Sequence, residues 1–211
     1  VRVFVKQMSK DLWKARGNYN MRDFEGRNYI DGKWECPAEM YTKINPATGK
    51  AQGAFPSSDK AVVRKALLCA RKAFKKWRKV SRFVRSDYMN KVAQLIERDR
   101  EKLATVISLE TGKTYNESIA EVNEALHMAQ FAFGSGRYSH GEAVASEIQD
   151  KDSYMLRKPK GVIAIVTPFN FPLAIGMFWN AAPALVEGNT IVIKPSEDAP
   201  MSTQAAVQIY A

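Results

Sequence analysis

Gly161-Val162-Ile163-Ala164-Ile165-Val166-Thr167 is an unbroken apolar run with no polar alternation. A strand covered on both faces, as in a parallel sheet, has this composition because neither face is left for water. Pro172 to Glu187 follows as an apolar helix, and Asn189-Thr190-Ile191-Val192-Ile193-Lys194 reads as a second buried strand. Pro200 then opens another helix, and Ala211 ends the chain inside it. Strand, helix, strand, helix is a βαβ unit, for which a right-handed crossover is expected. The fold class is α/β with a parallel sheet.

Upstream the period becomes helical. After Ser58, read as an N-cap, apolar residues recur at Val62, Ala66, Ala70, Ala73 and Trp77, one face of a helix. A second stretch carries Val84, Tyr88, Val92, Leu95, Leu103 and Val106, breaks near Asp99 and stops at Gly112. A third carries Ile119, Val122, Leu126, Ala129 and Phe133 and stops at Gly134 and Gly136. From Val144 to Lys160 the helical period is lost. Glu147, Asp150, Lys151, Asp152 and Ser153 fit the polar tip of a hairpin flanked by Val144-Ala145 and Tyr154-Met155-Leu156. Near the start, Asn28-Tyr29-Ile30-Asp31-Gly32-Lys33-Trp34-Glu35 reads as strand, Asp-Gly turn, strand. Ile44-Asn45-Pro46-Ala47-Thr48-Gly49-Lys50 is a second turn.

Charge is unevenly spread. The net charge is +10, and residues 1–100 hold 24 Lys+Arg against 10 Asp+Glu. The densest run, Arg71 to Lys79, sits on a helix whose other side is apolar, so a solvated face is the reading and nucleic-acid binding the rival. No apolar run reaches the roughly eighteen residues of a membrane span. Two cysteines, Cys36 and Cys69, make no disulfide framework, and His127 and His140 lack metal-site spacing. A reduced compartment is expected, cytoplasmic, with the mitochondrial matrix as the alternative because residues 1–27 are basic.

Each buried strand runs into a segment with its own chemistry, and ligands of open parallel sheets sit at the carboxyl ends of strands. After the first comes Thr167-Pro168-Phe169-Asn170-Phe171-Pro172-Leu173. Two prolines bracket one amide, and their fixed torsions hold Asn170 rigidly. A neutral amide donor in an apolar setting suits a developing oxyanion. Asn is also a leading helix N-cap, and spacing alone favours the cap. After the second strand, Lys194 and Glu197 bring a donor and an acceptor together, as a sugar diol requires. A surface ion pair is the alternative, again favoured by spacing alone. There is no Gly-x-Gly-x-x-Gly and no P-loop.

Together these segments resemble the aldehyde dehydrogenase superfamily. That family carries Pro-(Trp/Phe)-Asn-Phe-Pro and, about one strand later, Gly-Asn-Thr-x-x-x-Lys-Pro-x-Glu. Here they stand as Pro168-Phe169-Asn170-Phe171-Pro172 and Gly188-Asn189-Thr190-Ile191-Val192-Ile193-Lys194-Pro195-Ser196-Glu197. The hairpin Tyr29 to Trp34, the turn Asn45 to Gly49, and Glu110-Thr111-Gly112-Lys113 are further landmarks, so the resemblance covers residues 28–211.

The resemblance implies an incomplete aldehyde dehydrogenase fold: N-terminal helices, the first βαβ of an atypical Rossmann-type parallel sheet, and a β-hairpin oligomerisation arm. Residues 28–143 and 161–211 would be part of the NAD(P)-binding domain, 144–160 the arm and 1–27 an N-terminal extension, with the catalytic domain absent. Asn170 would stabilise the thiohemiacetal oxyanion. Lys194 and Glu197 would hold the adenosine ribose of NAD, with NADP as the alternative. Val166, Thr167, Pro168 and Phe169 would form the strand end along which the cofactor lies. Phe171, Ala174, Ile175 and Phe178 would line the substrate tunnel.

The implied partners are a small aldehyde or semialdehyde and, in the intact enzyme, further copies of itself, with no metal, nucleic acid or membrane. Phe169 in place of Trp resembles methylmalonate-semialdehyde dehydrogenases, whereas residues 121–147 resemble the aminoadipate-semialdehyde branch. The family's nucleophilic cysteine, glutamate base and Gly-x-Thr-x-x-Gly turn match no residue here. Cys36 and Cys69 are read as packing cysteines, and the chain alone is expected to be inactive. The rival readings are a non-catalytic module derived from a dehydrogenase and a portion of a CoA-acylating enzyme.

Overall fold

A computed structural model describes residues 24–211. Of the expected extension over 1–27, residues 1–23 lie outside the described residues, and Phe24 opens the described segment. There β1 (Phe24–Glu25) pairs in parallel with β5 (Ala51–Pro56). Gly26 is packed so closely that a Cβ would come within 2.3 Å of the Phe55 ring. β2 (Asn28–Ile30) and β3 (Lys33–Glu35) form the expected hairpin, with Asp31 and Gly32 both at positive φ, as its two-residue turn demands.

β4 (Met40–Ile44), antiparallel to β5, has no signature in the sequence. Its alternation is inverted: Lys43 is buried while Ile44 is exposed. The Lys43 ammonium donates to the carbonyls of Ile44 and Glu110, and Gln52 and Asn45 side chains donate to the Leu109 carbonyl. These donors satisfy carbonyls at the end of a helix, where a cation is also favoured by the helix dipole.

That helix is α3 (Arg100–Thr111), separated from α2 (Arg82–Arg98) at Asp99 and closed by Gly112 at φ 77°. α4 (Tyr115–Ser135) opens with a capping box between Thr114 and Glu117. α1 (Lys60–Trp77) is capped by Asp59 rather than Ser58: the Asp59 carboxylate accepts from Val62 N–H at 2.9 Å, while the Ser58 hydroxyl accepts from Asn28. The basic residues Arg71, Lys72, Lys75, Lys76, Arg78 and Lys79 of α1 and its end are all exposed. The core joins Met89, Val92 and Ile96 of α2 to Leu103 and Ile107 of α3 and to the Val122, Ala125 and Ala129 stripe of α4.

The βαβ unit is present. β8 (Val162–Val166) and β9 (Thr190–Lys194) pair in parallel, from Val162 opposite Thr190 to Val166 opposite Lys194. Burial on both faces was expected, yet in β8 only Ile165 is buried and Val166 is 74% exposed. A two-stranded sheet has no neighbour at either edge among the described residues, so its rim stays open. The helix expected from Pro172 to Glu187 also differs. It begins with a π-helical turn, Ile175–Asn180, and only then becomes α5 (Ala181–Val186). The chain finishes in α6 (Pro200–Tyr210).

Gly188-Asn189-Thr190 is a structural staple. Gly188 takes φ 91°, open to glycine at no steric cost. Asn189 accepts from the Lys160 and Gly161 amides at 2.7 and 3.0 Å and donates to the Ala184 carbonyl at 3.1 Å. The Thr190 hydroxyl donates to Ala70 of α1 at 2.9 Å. β6 (Gly141–Val144) and β7 (Ser153–Leu156) form an antiparallel hairpin in the region expected to be the arm. No helix among the described residues is long and apolar enough to cross a membrane.

Candidate active and cofactor site

The carboxyl ends of β8 and β9 lie side by side, because Val166 pairs with Lys194 and Thr167 N–H donates to the Lys194 carbonyl at 3.1 Å. Both signature segments therefore leave the sheet at one place. Beyond β8, Pro168, Phe169 and Asn170 are exposed. Beyond β9, the Lys194 ammonium meets a Glu197 oxygen at 2.8 Å, with both side chains open to solvent. That contact holds the Glu197 carboxyl below its usual range. The Glu197 backbone is held in turn, since Tyr41 of β4 donates to its carbonyl at 3.2 Å. Burial pushes the Tyr41 hydroxyl up to about 12, so it is a donor at any ordinary pH.

The π-helical turn packs directly on this strand end. A Cβ on Gly176 would come within 2.3 Å of the Thr167 methyl and 3.0 Å of Ile193, so only glycine admits the approach. Thr167 is buried, and its hydroxyl has no partner among the described residues. The turn also changes which residues share a face. Ala181 N–H bonds to the Gly176 carbonyl and Asn180 Nδ2 to the Ile175 carbonyl, each five residues back. The wider turn carries Phe178 away from the Phe171–Ile175 side and brings Trp179 towards it.

Four residues were expected to line a tunnel, and the structure separates them. Phe171 is exposed and Ile175 half-buried, whereas Ala174 and Phe178 are sealed in the core. The Phe178 ring lies 5.6 Å from that of Tyr210, whose hydroxyl donates to the Met177 carbonyl at 2.7 Å. Trp179, the next residue of the π-helical turn, is 50% exposed. An α-helical period puts Phe178 on the open face; the π turn puts Trp179 there.

Asn170 does not cap the following helix. Among the described residues its side chain makes no hydrogen bond. The cap is Glu121 of α4, a fully buried carboxylate whose Oε1 accepts from the Leu173 and Ala174 amides at 2.8 and 3.2 Å. The Lys113 ammonium pairs with its Oε2 at 2.7 Å. Glu110 of α3 does the same for α6, accepting from the Met201 and Ser202 amides and from the Ser202 hydroxyl. Two adjacent helices thus each send one buried glutamate to the start of a helix in the βαβ unit.

Neither cysteine joins this site. Cys36 is exposed rather than packed, with its sulfur 3.9 Å from Glu25 and from Met40, and Cys69 is half-buried on α1. No group of three or more His, Cys, Asp or Glu among the described residues could hold a metal ion.

The model of the aldehyde dehydrogenase family matches residues 34–211. The chain belongs to that family. It is 34% identical over 186 residues to a malonate-semialdehyde dehydrogenase of Lacticaseibacillus casei, covering 87% of this chain and 38% of that one. It is 38% identical over 179 residues to the betaine aldehyde dehydrogenase of Bacillus subtilis, covering 83% of this chain and 36% of the relative. Betaine aldehyde dehydrogenase of Staphylococcus aureus, solved in complex with NAD+, superposes with a TM-score of 0.83 at 32% identity, over 87% of this chain and 37% of that chain. Lactaldehyde dehydrogenase of Escherichia coli gives 0.84 at 27% identity, over 88% and 39%. The chain therefore spans less than two fifths of the length of these relatives, and its fold is a partial aldehyde dehydrogenase fold.

Lys113, Glu121 and Tyr41 were missed as site residues, as was the capping role of Glu110. A signal for the two glutamates exists. Glu121 adjoins Val122 on the stripe that continues through Ala125 and Ala129, and Glu110 follows Val106 and Ile107 at helical spacing. A carboxylate at a core position needs a partner, and the partner proved to be a helix N-terminus.

Proposed function

We propose that this aldehyde dehydrogenase chain supplies the oxyanion donor, the ribose grip and one substrate wall of an NAD-dependent enzyme that oxidises a small aldehyde, a semialdehyde, to its carboxylate. The observation that carries the reading is the pairing at the sheet edge: an uncommitted Asn170 amide beyond β8 and the exposed Lys194–Glu197 pair beyond β9. The fit to a ribose is chemical, since one ammonium and one carboxylate offer donor and acceptor to adjacent hydroxyls. NAD, when bound, supplies a hydride acceptor. Asn170 donates to the oxygen that gains charge when a thiolate adds to the aldehyde. Phe171, Ile175 and Trp179 give the substrate an apolar wall. The thiolate and the base match no residue of this sequence. The apolar residues Val144, Tyr154 and Leu156 left exposed on the arm support its reading as an assembly element between copies.

The 211-residue chain by itself is expected to form no NADH from a panel of small aldehydes and semialdehydes, because it lacks an activated nucleophile. Turnover abolished by Cys36→Ser or Cys69→Ser would make that cysteine the nucleophile and overturn the assignment.

In the complete enzyme NAD is expected to be preferred over NADP, with Glu197 as the cause. NADP replaces a ribose hydroxyl with a phosphate carrying roughly −1.5 to −2 charge, which a facing carboxylate repels. Glu197→Ser should weaken NAD binding and improve NADP binding together, shifting the ratio of kcat/KM by roughly tenfold, and less at high salt because the site is exposed. Titration of both cofactors alongside kinetics checks this. An unchanged ratio would leave Glu197 as a solvated partner of Lys194.

A further inference from the structure

We propose that Lys113 and Glu121 are positioning residues for the oxyanion turn, aiming Asn170 without touching substrate; the inference rests on the reading of Asn170 above. Glu121 divides its two oxygens. One accepts from the Leu173 and Ala174 amides, and the other takes the Lys113 ammonium. Lys113 also places its ammonium 4.1 Å from the centroid of the Phe171 ring, within cation–π range. From a third side the Thr203 hydroxyl of α6 donates to the Pro172 carbonyl at 3.0 Å.

Every residue from Phe171 to Ala174 is thereby tied to α3's end, α4 or α6, and these are the residues that follow Asn170 directly. The arrangement divides labour. An asparagine before a helix ordinarily spends its side chain as the cap. Here a distant carboxylate does the capping, and the Asn170 amide stays available for a ligand. A fully buried carboxylate is costly without a cation, and the Lys113 ammonium at 2.7 Å supplies one and holds Glu121 in place. Its hold on Phe171 restricts rotation of the Asn170–Phe171 peptide, on which the direction of the amide depends.

The test compares variants of the complete enzyme. Lys113→Met is expected to lower kcat roughly tenfold to a hundredfold, the range for a small misplacement of a reacting group, while the KM for the cofactor stays unchanged. Lys113→Arg should recover most of the loss, since it restores a cation to Glu121 and Phe171. Glu121→Gln should repeat the kcat loss with a larger drop in thermal stability, and Lys113→Met serves if that variant does not fold. Asn170→Ala is measured beside them. A Lys113→Met enzyme with normal kcat next to a crippled Asn170→Ala enzyme would overturn the positioning role. So would a kcat loss that Lys113→Arg does not recover. Normal kcat in Asn170→Ala would instead overturn the underlying reading of Asn170.

Discussion

Asn170→Ala in the complete enzyme is expected to lower kcat roughly a hundredfold to a thousandfold, the usual cost of losing one oxyanion donor. Affinity for the cofactor should change little, because the proposed ribose grip, Lys194 and Glu197, follows the neighbouring strand. The structure removes the competing explanation for any loss. Were Asn170 a helix cap, its removal would cost about 1 kcal/mol of stability and leave kcat near normal. Glu121 makes that cap instead, and Asn170 is exposed with its amide unspent among the described residues. The substitution should therefore move kcat and leave the denaturation midpoint in place. Steady-state kinetics beside denaturant unfolding separate the outcomes, and a shifted midpoint with normal kcat would return Asn170 to a structural role.

Glu110→Ala is expected to cost roughly 3–5 kcal/mol of stability, since it strands buried donors at the start of α6 at about 1–3 kcal/mol each. The loss should depend on pH in a defined direction. Burial raises the Glu110 carboxyl from 4.5 to about 7, against the opposing pull of the Ser202 and Met201 hydrogen bonds and the Lys43 charge. Native Glu110 thus holds its proton more tightly than the unfolded chain does. Its contribution is complete below the unfolded value and declines as pH rises through about 7. The shift is worth roughly 3 kcal/mol over that window. The gap in stability between wild type and Glu110→Ala should therefore be widest near pH 5 and narrow by pH 8. Urea unfolding at several pH values measures it. A gap that widens with pH would show that the capping amides and Lys43 outweigh burial and that Glu110 is ionised throughout.

Much of the secondary structure was legible. The break near Asp99, the stop at Gly112, the Asp31-Gly32 hairpin and the parallel βαβ unit follow from side-chain period and from residues with special backbone freedom. Such signals act over a few residues, so one chain displays them. β4 escaped because its buried position is a lysine and its exposed one an isoleucine. Lys43 is tolerated inside only because carbonyls at the end of α3 lie there to receive it. The cap of α1 is Asp59 and not the neighbouring Ser58, because the fold employs that serine as an acceptor for Asn28. That Phe178 is buried and Trp179 exposed was not legible, because a single turn of i→i+5 bonding shifts the faces of a helix and composition carries no mark of it.

The amino-acid sequence by itself determined the family, the order of elements and the residues at the two strand ends. Its motifs are contiguous, and a contiguous motif needs no tertiary knowledge to be read. It left Asn170 suspended between cap and oxyanion donor, because both roles use the same side chain at the same place. The tertiary structure removed the cap from that choice by bringing Glu121 to the Leu173 and Ala174 amides, across more than fifty residues of chain. It also set Lys194 beside Thr167, so that two segments separate in sequence leave the sheet together. Hydrogen bonds between distant residues are set by how the helices pack, and that packing depends on the whole core rather than on any one stretch.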